Sequence, residues 1–328
     1  MPKTYDICAT LARYIAGSGI SLILLLICPL FHGQAVAACT LAGPTMTFGT
    51  INIFSSSTTS GNATFKCTTG AQARTFYACL STGTGSGGTT PSNRTLASGS
   101  NNIPIQITGG ATWPSQIGDG TSYPMEGVVS FSVPAGSSGS YTFPLVVTIP
   151  APSPLPPAGT YSSTFTGNDF QVYSSTTSAS TCAALIGGNN SQNDSGTFSV
   201  SGAVVNQCGV SATNMNFGSA SLLTSALSAT AQISVSCNAT LPITVALDNG
   251  ATGNGPTSRL MTAGPRTIQY GIYKDNAHSQ PWGNTVGTNT ASGTGPSATL
   301  TAYGQVPAQA PAPTPGSYAD IVGVTVTY

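Results

Sequence analysis

The chain has 328 residues, enough for one to three domains, with net charge near zero and only 5% charged residues. So little charge leaves no basic patch for a nucleic-acid partner and no material for solvated helix faces. With 40% hydrophobic residues the chain is nevertheless no disordered tail, and its 39 glycines and 23 prolines suit short strands joined by turns.

Residues 1–38 have the makeup of an export signal. Lys3 and Arg13 supply positive charge, residues 20–31 an apolar run short for a membrane span, and Ala35-Val36-Ala37 a small-residue cleavage site. The expected mature chain starts near Ala38. Val36-Ala37-Ala38-Cys39 also resembles a lipoprotein cleavage box, which would lipidate Cys39. Removal of the leader takes away Cys8 and Cys28 and leaves Cys39, Cys67, Cys79, Cys182, Cys208 and Cys237. An even set of cysteines in an exported chain reads as disulfides, and without a CxxC pair or Cys/His cluster it does not read as a metal site.

The chain is an internal duplication. Cys39 leads to Met46-Thr47-Phe48-Gly49, and Cys208 leads at the same spacing to Met215-Asn216-Phe217-Gly218. Each copy has its next cysteine, Cys67 or Cys237, at the end of an alternating strand. Asn93-Arg94-Thr95-Leu96 is echoed by Ser258-Arg259-Leu260-Met261, and Gly159-Thr160-Tyr161 by Gly316-Ser317-Tyr318, each after a proline-rich loop. Landmarks in one order mark a repeat. It divides the mature chain into 39–205 and 206–328. It also pairs Cys39 with Cys67 and Cys208 with Cys237, leaving Cys79 and Cys182 for each other; free buried thiols are the alternative.

Period-two runs at 103–107, 128–133 and 141–149 in the first copy, and at 243–247, 268–273 and 298–302 in the second, predict strands. The fold class expected is all-β: two tandem antiparallel β-sandwiches. The copies differ at their ends. The first continues into residues 197–205, where Phe198, Val200 and Val204 share a face interrupted by Gly202; this segment reads as a strand added in cis, or as a plain linker. The second ends on Ile321 to Tyr328. Here Val322, Val324, Val326 and Tyr328 alternate on a strand expected to present an open edge, a hazard unless another chain pairs with it.

Several stretches of the second copy, in order, resemble the spore coat protein U domain family. They are Cys208, Phe217-Gly218, Val235-Ser236-Cys237, Leu247-Asp248-Asn249-Gly250, Arg259-Leu260-Met261, Ile268 to Tyr273, Trp282-Gly283-Asn284, Tyr303 to Pro307 and Gly316 to Asp320. The first copy matches more loosely. A divergent copy before an orthodox one is similar to the two-domain tip adhesins of archaic chaperone–usher pili. That resemblance implies two tandem immunoglobulin-like antiparallel β-sandwiches, the second lacking its last strand. A periplasmic chaperone lends the strand; at the outer-membrane usher the next pilin subunit replaces it. A mature chain beginning near Cys39 has little N-terminal extension to lend, as expected at a fibre tip. The resemblance also implies attachment to abiotic or cell surfaces, with biofilm formation, through apolar loops of the first domain. Trp113, Tyr123, Met125 and Leu155 are the candidates, although each also suits a core or structural turn. The alternatives are a structural spore-coat or matrix protein and a pilus shaft subunit.

Catalysis is not expected. After the leader the chain holds one histidine, His278, in a polar turn, and one glutamate, Glu126; Asp119 is the nearest carboxylate to pair with it, in a Gly/Ser-rich loop. No cofactor motif is present.

Overall fold

The computed structural model describes residues 38–120, 127–186, 188 and 191–328. The leader, Tyr123, Met125 and Glu126 lie outside these residues. Among them the chain is nearly all β, with one 3-10 turn at Cys182–Ala184.

The first sandwich curls around one core. On one side β1 (Ala38–Ala42), β3 (Ser57–Thr68), β9 (Ser138–Ile149), β6 (Asn101–Gly109) and β7 (Trp113–Gln116) are neighbours in that order. On the other, β8 (Val129–Val133), β4 (Arg74–Thr82), β10 (Gly159–Ser175), β11 (Gln192–Val204) and β2 (Thr45–Thr50) follow one another. β5 (Arg94–Ser98) pairs with both β6 and β10 and closes the curl. Alternation makes the core: in β3, Ala63, Phe65 and Cys67 point in, while their neighbours do not. Phe65 meets Phe131 edge-on at 6.1 Å, joining β3 to β8 across the layers.

The second sandwich repeats the plan with fewer strands. β12 (Cys208–Ala212), β13 (Leu227–Cys237), β18 (Ser297–Val306), β16 (Arg266–Tyr273) and β15 (Arg259–Ala263) form one sheet. β17 (Ala291–Thr294), β14 (Pro242–Leu247) and β19 (Val324–Thr327) form the other. Its own core includes Ile233, Val235, Val245 and Trp282, whose indole nitrogen donates to the Val245 carbonyl at 3.0 Å.

The disulfides are Cys39–Cys67, Cys208–Cys237 and Cys79–Cys182. The first two staple the opening strand pair of each sandwich, an effect of about 3.5 kcal/mol for loops of that size. The third ties β4 to the excursion before β11, under which Cys79, Cys182 and Leu185 make a small core of their own. Each proline-rich loop is closed by a tyrosine four residues on: Tyr161 donates to the Pro157 carbonyl at 2.9 Å and Tyr318 to that of Thr314 at 2.7 Å.

Residues 197–205 are not a free linker. β11 runs antiparallel to β10 and parallel to β2, and Phe198, Val200 and Val204 are buried. Phe198 stacks on Phe165 at 4.3 Å and meets Phe170 edge-on at 4.8 Å. Gly202 is required where it stands, since a Cβ there would come within 2.7 Å of Ile51 and 3.1 Å of Phe48. The C-terminal strand is shorter than its alternation suggests. Only Val324–Thr327 join the ladder with β14; Tyr328 lies beyond it, 53% exposed.

Candidate functional site: an open groove in the second sandwich

The duplication lets the two copies be compared position by position. Arg94 hydrogen-bonds the Thr82 carbonyl and Arg259 that of Leu247, so β4 and β14 correspond. Ala97 pairs with Ser162 and Thr262 with Ala319, so the start of β10 corresponds to residues 316–320. In the first copy β10 is flanked there by β11 over Gly159 to Thr166. In the second, among the described residues, no strand pairs with 316–323; its backbone contacts are the bridge from Thr262 and the Asp248 amide donating to the Gly323 carbonyl at 3.0 Å.

The result is a groove of about 580 Å³. Met215, Phe217 and Ala212 form one wall, Tyr318, Val322 and Val324 the other, with Leu247, Tyr270 and Ile272 beneath. Of the residues read from sequence as an open edge, Val322, Val324 and Val326 pack partly on the core, and Tyr328 does not. Ile321 also lines the groove and is 84% exposed. From sequence only the wall at 322–328 is visible. The opposing wall, Met215 and Phe217, serves there merely as a landmark of the repeat. Its signal is the equivalence with Met46 and Phe48, which lie on the β2 strand that pairs with β11.

One carboxylate faces this apolar channel, and the protein itself satisfies it. Asp320 Oδ2 accepts the Tyr270 hydroxyl at 2.7 Å, and Oδ1 accepts the amides of Ala251 at 2.9 Å and Ile321 at 2.8 Å. Burial, and next the bond to Asp320, raise the Tyr270 phenol well above its usual range, so it stays a donor. Burial depresses the Arg259 guanidinium, while Tyr270, Asp248 and Asp320 oppose that shift. What remains for an occupant is an apolar surface beside backbone edges. That suits an extended strand with alternating apolar side chains.

The other sequence candidates are dispersed. Trp113 is half-buried, its ring 5.8 Å from Phe143 and close over Gly109. Leu155 packs partly on the same core, in the proline loop whose Pro156 carbonyl accepts the Asn238 side chain of the second sandwich at 3.1 Å. One is on the core's flank and the other at the joint between domains. His278 Nδ1 contacts Gln305 Nε2 at 3.2 Å and its ring meets Tyr273. Among the described residues no three His, Cys, Asp or Glu side chains are grouped to hold a metal ion.

The family model of the Spore Coat Protein U domain matches residues 30–168 and again 194–325. No curated protein matches the chain. Among solved structures it is similar to the chaperone–tip adhesion subunit pre-assembly complex from archaic chaperone–usher Csu pili of Acinetobacter baumannii. The identity is 17%, covering 89% of this chain and 100% of that chain, with a TM-score of 0.45. It is also similar to the CupB6 tip adhesin from Pseudomonas aeruginosa, at 14% identity over 88% of this chain and 94% of that one, with a TM-score of 0.31.

Proposed function

Because this chain belongs to the spore coat protein U domain family, with two copies of the domain, we propose that it is the adhesive tip subunit of a surface fibre assembled by strand addition. One contrast carries the reading: β11 fills the groove of the first sandwich from within the chain, while the corresponding groove of the second stands open. A periplasmic chaperone fills that groove with a lent strand, and at an outer-membrane usher the next subunit's strand replaces it. The first sandwich needs no such loan.

Contact with abiotic or cell surfaces falls to the first sandwich, at the end away from the joint. β3 runs the length of the module, about 36 Å at strand rise, from the joint side to the turn at 69–73. That turn, the one at 134–137 and the excursion at 176–186 carry no charged residue. The export signal delivers the chain to the periplasm and the fibre carries it to the cell surface.

The test is production with and without a periplasmic chaperone of this class. Alone, the chain aggregates or binds apolar dyes through the groove; with the chaperone it is a soluble one-to-one complex. A chain that is monomeric alone, and takes up no alternating apolar peptide such as residues 192–205, rules the reading out.

A further inference from the structure

The two sandwiches are joined through a single strand. β11 is the last strand of the first module, and after residues 205–207 the chain enters β12 at Cys208. Any pull that separates the sandwiches therefore acts on the C-terminal end of β11. That end lies at the joint, and the strand runs from it back along the module: Val204 pairs with Gly159 and Gln192 with Ser174. The hydrogen bonds of an antiparallel pair stand perpendicular to the strands, so a pull along β11 shears them together instead of opening them one by one. β2 adds a ladder on the other side, pairing Ser199 with Thr45 and Val200 with Met46. Phe198 acts as a detent in this track, stacked on Phe165 at 4.3 Å with Phe170 edge-on at 4.8 Å.

Two disulfides bracket that strand. Upstream, Cys182 is bonded to Cys79 on β4, with Leu185 buried beside them. Downstream, Cys208 is bonded to Cys237 on β13. Residues 183–207, between the two bridges, hold no cysteine. Tension on this tract passes through Cys182 into β4, which β10 and β8 flank, and through Cys208 into β13, which β12 and β18 flank. The side-chain contacts across the joint are slight by comparison. Gln207 Nε2 donates to the Ile51 carbonyl at 2.7 Å, and Asn238 Nδ2 to that of Pro156 at 3.1 Å. The second sandwich shows that such a module stands without this strand, since it keeps its own core with the corresponding position unpaired among the described residues.

We infer that β11 is an extension segment released by tension, with its travel set by the Cys79–Cys182 and Cys208–Cys237 bridges. Under a pull between the sandwiches the joint contacts part, β11 slides out of its groove, and residues 183–207 straighten until both bridges are taut. In the folded chain the Cys79 bridge is level with Tyr173 and Asn193, and from there to Cys208 is about 50 Å at strand rise. Fully extended, Cys182 to Cys208 reaches about 90 Å, a gain of about 40 Å with the rest of the first core in place. Both ends of the segment stay tied, so its effective concentration at the empty groove is high and the strand returns when tension falls. The inference concerns the filled groove and stands apart from the strand-accepting reading of the open one.

The test is optical-trap extension of the full chain, bound to a periplasmic chaperone or alone where it is monomeric. Azide-bearing residues replace Ala71, exposed in the far turn of the first sandwich, and Thr240, exposed just past Cys237. A pull between them crosses β11 and bypasses the second groove. The result expected is a first step of about 40 Å that reverses on relaxation and precedes any longer unfolding. Phe198→Ala lowers the force of that step and leaves its length unchanged. Cys79→Ser with Cys182→Ser lengthens it roughly twofold or more, because nothing arrests the pull at 182. Parent protein held under a thiol reductant replaces that pair if it does not fold, with the same lengthening expected. A step of unchanged length without the bridge, a force unmoved by Phe198→Ala, or no step before the whole first sandwich unfolds overturns the inference. None of these outcomes bears on the second groove, which strand uptake tests.

Discussion

Arg94 and Arg259 hold the same post in the two sandwiches, each fully buried and spent on backbone carbonyls. Arg94 donates through Nε to Gly83 at 2.6 Å and through Nη2 to Ile117 at 2.7 Å. Arg259 donates through Nε to Asp248 at 2.8 Å, through Nη1 to Pro256 at 2.6 Å and through Nη2 to Trp282 at 2.8 Å. A planar fork gathers the ends of several loops where a point charge could not.

Arg259→Leu therefore orphans several buried carbonyls, each costing about 1–3 kcal/mol. The second sandwich is expected to unfold at markedly lower denaturant while the first is nearly unaffected. Arg259→Lys recovers little of the loss. Denaturant unfolding followed at Trp282 fluorescence, compared with a first-domain probe, checks this.

Phe198 fills the first groove from within the chain. Phe198→Ala is expected to cost about 3–5 kcal/mol, as for other large core truncations. Gly202→Val costs about 1–3 kcal/mol by overpacking against Ile51 and Phe48. Either variant should make the first sandwich bind apolar dye, and the parent's first sandwich is expected not to; dye titration on chaperone-bound protein isolates that module.

Asp194 on β11 has a buried Oδ2 with no partner, and burial raises its carboxyl above the ordinary range. A raised folded value means that its favourable contribution is complete below the unfolded value and is lost as pH rises through the folded one. The first sandwich should thus lose stability from this group as pH rises above the ordinary carboxylate range. Asp194→Asn should flatten that part of the profile and raise Tm on its alkaline side. Melting curves across that window decide it.

The Cys79–Cys182 bridge spans 103 residues of sequence, a loop whose closure is worth about 4.7 kcal/mol on chain entropy. Replacing both cysteines with serine should lower the stability of the first sandwich alone. Hydrogen exchange should rise first around Tyr77, Tyr173 and Leu185, which pack at that bridge.

The chain's local chemistry was sufficient for the duplication, the β class and the inward face of β11. Each is a matter of spacing along the chain: repeated landmarks, period two, and cysteines at matching offsets. Tertiary structure alone decided what lies across from each face. Arg94 and Arg259 are visible in sequence as matching positions, but their burial depends on carbonyls brought in from loops far along the chain. Leu155 looks like a loop tip until the second sandwich places Asn238 against its neighbour Pro156. Most of all, the groove beside 316–323 is defined by a neighbour that one copy has and, among the described residues, the other does not. Alternation records which side chains turn inward; it does not record whether anything stands opposite them.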